Sequence, residues 1–135
     1  GGGSAVGDAG AAYIFNRTGT NTWDSGTKIM APDPGGGDGF GISVAISGDY
    51  AIVGSSYEDG GAGDPLTNSG AAYIFRRTGT NTWDNGTKIA APDAQASDNF
   101  GYSVAISGDT AFVGAVSEDG GVGDPIADTG AAYLY

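Results

Sequence analysis

The sequence predicts an all-β protein assembled from β-propeller blades, four-stranded antiparallel sheets set face to face, and three observations predict it. A repeat of 60 residues runs through the chain, because GAAYIF begins at 10 and at 70 and returns as GAAYLY at 130. Each repeat carries four short apolar segments bounded by Gly, Asp, Asn and Pro clusters, with no helical periodicity. The segments have one bulky and one small apolar face, which suits a sheet lying between two copies of itself. A lone β-sandwich leaves its outer faces polar and needs no repetition, and a β-helix repeats over far fewer residues. An open stack of the same sheets is the alternative arrangement.

The first segment, Phe40 to Ile46, alternates Phe40, Ile42, Val44 and Ile46 with Gly41, Ser43 and Ala45. The second, Tyr50 to Gly54, follows the tight turn Ser47-Gly48-Asp49, whose residues tolerate positive φ. The third is Ala71 to Phe75, apolar on both sides. The fourth, Thr87 to Ala91, is reached through RTGTNTWDNG and has fewer large residues, as an outer edge strand should.

Composition narrows the function. With 39% hydrophobic residues the 135-residue chain has enough apolar surface for a packed core. Sixteen acidic residues against five basic ones give a net charge of −11, which repels nucleic acid and anionic membrane surfaces alike. Cysteine and histidine are absent, which excludes disulfides, zinc sites and Cys-His catalysis. No apolar run approaches the roughly 20 residues of a membrane span. The chain opens on Gly1 instead of Met, so a preceding segment is expected, which leaves room for a removed export signal.

These residues resemble the FG-GAP repeats of the integrin α-subunit propeller and of many bacterial extracellular proteins. Phe40-Gly41 and Phe100-Gly101 match the FG, Val113-Gly114-Ala115 matches the following strand, and the GAAYIF segments match the third strand. The resemblance implies a propeller on the cell surface or outside the cell. Its register divides the chain into strands three and four of a first blade with the preceding loop (1–39), a complete blade (40–93), and strands one to three of a further blade (94–135). About two blades' worth of sheet cannot close a ring, so a slice of a longer array or a protomer of an assembly is expected. The sequence departs from the family at Gly54-Ser55-Ser56 and Gly114-Ala115-Val116, where proline is missing. The turns Ser47-Gly48-Asp49 and Ser107-Gly108-Asp109 are too short for the integrin calcium loop.

Candidate ligands cluster elsewhere. EDGGAGDP and EDGGVGDP place Glu58, Asp59 and Asp64, and again Glu118, Asp119 and Asp124, among glycines that leave carbonyl oxygens approachable, a donor set suited to calcium. The alternative is a solvated acidic loop with Asx-turns. Asp33 and Asp38, repeated as Asp93 and Asp98, bracket the passage between blades and are expected to cap turns. Trp23 and Trp83 offer a flat apolar face to a sugar ring or pack over their own blade. Asn16 and Asn85 begin glycosylation sequons. Ser43 and Ser103 fail the nucleophile-elbow pattern, so no enzymatic activity is expected.

The expected function is a non-enzymatic extracellular module that binds a protein or glycan, or scaffolds a surface structure, with calcium as the possible cofactor. The alternatives are a filament protomer that self-associates through its sheet edges and a non-catalytic part of a larger propeller enzyme.

Overall fold

The computed structural model describes residues 7–60, 66–120 and 126–135. The first blade contributes β1 (Ala12–Ile14), β2 (Arg17–Gly19), β3 (Thr22–Trp23) and β4 (Thr27–Ile29). The second contains β5 (Ser43–Ser47), β6 (Tyr50–Ser55), β7 (Ala71–Gly79), β8 (Thr82–Trp83) and β9 (Thr87–Ile89). The third contains β10 (Phe100–Ser107), β11 (Thr110–Ala115) and β12 (Ala131–Leu134). In the second blade β5, β6 and β7 pair in order, and β9 lies on the outer side of β7, all antiparallel. This is the four-stranded blade that the repeat predicts.

Two details differ from the sequence reading. The connection RTGTNTWDNG contains its own short hairpin, in which β7 runs on past Phe75 and pairs with β8. The alternation over the first segment is interrupted: β5 begins only at Ser43, and in the third blade the register shifts between Phe100 and Ser103. Ile42 and Tyr102 fall in this irregular stretch and lie exposed.

Both hydrophobic cores lie between blades. One unites Ala12 and Ile29 of the first blade with Phe40, Val53, Tyr73 and Phe75 of the second. The other sets Ile52 and Ala72 of the second blade, with the partly buried Ala45 and Ile74, against Phe100 and Val113 of the third, with the partly buried Val104 and Ile106. The bulky face of one sheet thus fills the small face of the one before it. Ile52 is fully buried this way, whereas its repeat equivalent Phe112, with no described sheet beyond it, stays 46% exposed. Covering such a side chain contributes about 2 kcal/mol, so each blade is stabilised by the one stacked on it.

The close approach of backbones at this seam requires glycine. At Gly54 an added Cβ would sit on the Gly101 carbonyl oxygen of the next blade, and at Gly101, with φ +88°, on the Ala71 carbonyl oxygen. Ser43 Oγ donates a 2.8 Å hydrogen bond to that same Gly101 carbonyl and fastens the seam.

Candidate functional site

The antiparallel register sets Lys88 opposite Tyr73, so both side chains emerge on the face that looks toward the first blade. The passage between blades brings Asp33 to this spot, and the connection after β6 brings Glu58. Lys88 Nζ donates to Glu58 Oε1 at 2.5 Å and to Asp33 Oδ2 at 3.0 Å. Tyr73 OH donates to Asp33 Oδ1 at 2.8 Å, and the ammonium lies 5.9 Å from the Tyr73 ring centroid. One ammonium therefore ties together an outer strand, a loop and an inter-blade passage. The Glu58 side chain is only 4% exposed and that of Lys88 25%, so this pair exceeds a surface ion pair in consequence.

Neighbouring carboxylates shape the loops. Asp38 is buried and accepts from the Gly35 N–H at 2.5 Å, while Asp98 accepts from the Gln95 N–H at 2.6 Å. These two close the passages as turn caps. Asp33 and Asp93 instead accept from Tyr73 and Tyr133. Asp59 Oδ1 accepts from the Asn68 N–H at 2.7 Å, and Asp119 Oδ1 from Gln95 Nε2 at 3.2 Å. Asp64 and Asp124 lie outside the described residues. Among the described residues no three His, Cys, Asp or Glu side chains converge as a metal site would.

Burial drives the shifts in acidity. It raises the carboxyl pKa of Asp38 and of Asp98 against the lowering effect of their backbone hydrogen bonds, and neighbouring carboxylates add to it. The stability these two groups contribute is fully present below the ordinary carboxyl pKa of 3.8 and is lost as pH rises through their raised values. Tyr73 is pushed far above the ordinary tyrosine range, first by burial and then by its bond to Asp33. Burial pulls Lys88 down, but its hydrogen bonds to Glu58 and Asp33 outweigh that pull and leave it raised.

These shifts set an alkaline limit. An unfolded tyrosine and lysine lose their protons near pH 10 and 10.5, while folded Tyr73 and Lys88 keep theirs. The folded state then binds more protons, and stability falls as pH rises through this range. The melting temperature is expected to drop steeply above pH 10, and to drop less steeply in Tyr73→Phe; equal slopes in the two proteins would contradict the assignment.

The outer hairpins hold the remaining candidates. Asn16 is half-buried, and its Nδ2 donates to Asp24 Oδ2 at 2.9 Å and to Asn81 Oδ1 at 2.6 Å across to the second blade. Asn85 is exposed. Trp83 is partly buried against the first core with the Arg77 guanidinium 5.5 Å from its ring centroid, whereas Trp23 is 60% exposed. Sequence reasoning passed over Lys88. Its signal was present: the chain has only two lysines, Lys28 and Lys88, at the same place in successive repeats.

Stacked antiparallel blades with tight inner hairpins, glycine seams and acidic rim loops define a β-propeller-type repeat module. The FG-GAP repeat family model matches residues 23–75 and 83–135, more than half of the chain, and the chain belongs to this family. Each match runs from the outer hairpin of one blade to the third strand of the next. No curated protein and no solved structure matches the chain.

Proposed function

We propose that the chain is a non-enzymatic, extracellular FG-GAP module that binds a glycan on its outer rim. The observation that carries this reading is a groove of about 460 Å³ between the Thr27–Pro32 segment of the first blade and the outer hairpin of the second. The partly buried Trp83 and the 54% exposed Met30 give it apolar surface, and Thr27, Asp84 and Asn85 give it polar edges. An aromatic ring beside hydroxyl, amide and carboxylate groups is the chemistry that recognises a sugar, whose C–H faces stack while its hydroxyls hydrogen-bond. The reading needs no calcium, since Lys88 already neutralises Glu58.

Screening on a glycan array followed by calorimetry tests the proposal. Trp83→Leu is expected to weaken the selected glycan about tenfold or more, and Asn85→Ala, which touches no core, is expected to weaken it with an unchanged melting temperature. A protein ligand in place of a glycan, binding indifferent to both variants, or turnover of the bound sugar would each overturn the reading.

A further inference from the structure

Next to the groove of about 460 Å³ lies a second, of about 410 Å³, between the outer hairpins of the first and second blades. The two meet at Asn81. Its carbonyl oxygen accepts at 3.2 Å from Thr27 Oγ1, which belongs to the first groove, while Asn81 itself lines the second. Arg77 joins them again: it lines the second groove, and its guanidinium lies 5.5 Å from the ring centroid of Trp83, which lines the first. Each volume falls within the roughly 300–1,000 Å³ of small-molecule sites.

The second groove has a different chemistry. Thr18, Thr80, Asn81 and Arg77 line it with hydroxyl, amide and guanidinium groups, and no large apolar side chain takes part. Several of these donors are idle. Asn81 Oδ1 accepts from Asn16 Nδ2, but Asn81 Nδ2 and the hydroxyl of the exposed Thr80 make no hydrogen bond among the described residues. Arg77 Nη2 reaches Asn16 Oδ1 only at 3.4 Å, and Asp49 Oδ1 stands 3.8 Å from Arg77 Nε, beyond hydrogen-bond range. The frame around them is fixed, because Asn16 donates both to Asp24 in its own hairpin and to Asn81 in the next. A hydroxyl-rich ligand satisfies such donors in place of water.

Charge narrows the ligand further. Asp24 and Asp84 line the grooves and Asp49 lies beside Arg77, against the cations Lys28 and Arg77, and the whole chain carries a net charge of −11. An acidic sugar meets repulsion here. Resting on the glycan reading of the first groove, we infer that the ligand is a neutral linear oligosaccharide that spans both grooves. One unit sits beside Trp83, and the next is hydrogen-bonded by Thr80, Asn81 and Arg77.

Calorimetry of the full chain tests this with maltose-, cellulose- and chitin-type oligosaccharides, from monosaccharide to hexasaccharide, and with heparin fragments as the acidic probe. Affinity for the neutral probe that binds is expected to rise about tenfold or more with length before it levels off, and heparin fragments are expected not to bind. Thr80→Val removes a hydroxyl at constant shape, and Asn81→Asp removes the idle donors while keeping the acceptor that Asn16 uses. Each is expected to weaken the long probe about threefold to tenfold, with binding of the shortest probe and the melting temperature unchanged. Trp83→Leu is expected to weaken probes of every length. Affinity that does not rise with length, or a long probe indifferent to both Thr80→Val and Asn81→Asp, would overturn the second subsite and leave the first groove standing. Heparin fragments binding more tightly than neutral probes would overturn the neutral ligand. If no probe binds, the glycan reading of the first groove falls and the spanning ligand with it.

Discussion

Lys88→Met is expected to lower the free energy of unfolding by about 3 kcal/mol, a large share of what a domain of this size has in hand. The loss comes less from the missing attraction than from what is left behind. Glu58 keeps its carboxylate at 4% exposure with no cation near it, and Asp33 retains only the tyrosine hydroxyl. Methionine fills the space of the lysine stem, so packing changes little. The double variant Lys88→Met with Glu58→Gln removes both charges and is expected to recover most of the stability, since replacing both members of a buried pair is far milder than removing one. Urea denaturation of the three proteins decides it. A double variant no more stable than the single one would show that the ion pair is not the cause.

Gly54→Ala is expected to cost about 3 kcal/mol or to prevent folding, through a different route. A methyl group there lands on the Gly101 carbonyl oxygen, and the two blades must part to admit it. Backbone on both sides leaves no rotamer to relieve the overlap. Gly114→Ala, at the same place in the next repeat, meets the Ser103 hydroxyl, which can rotate away, and is expected to cost about 1 kcal/mol or less. The two glycines hold the same place in successive repeats, each following a valine, and they differ in whether a described blade lies opposite. Equal losses measured by thermal unfolding at low protein concentration would mean that the seam does not demand the glycine.

Much of the fold was legible because its causes are local or periodic. The repeat exposed the stacking, and the turn residues around Ser47-Gly48-Asp49 marked the inner hairpin. The alternation of bulky and small residues along this strand foretold the packing that Val104 and Ile106 make on the second blade. The small outer hairpin was missed because Thr82 and Trp83 form a strand too short to show alternation. The site was half legible. Glu58 and Asp59 stood out as a cluster, but their chemistry depends on Lys88, 30 residues from Glu58 and 55 from Asp33. No local pattern reports a contact that only strand register and blade packing create. Trp23 and Trp83 make the same point: identical motifs, one 60% exposed and the other packed on a core and an arginine, because their surroundings differ.

The placement of both cores between sheets governs how such a protein can change its length. A duplicated unit arrives with two half-joints already shaped to fit any sibling, so unequal recombination can add or delete a blade without one compensating substitution. The same economy constrains drift. A residue that swells on one side of a joint must be answered on the other side, and that answer lies in a different copy of the gene segment, where it must arise by a separate event.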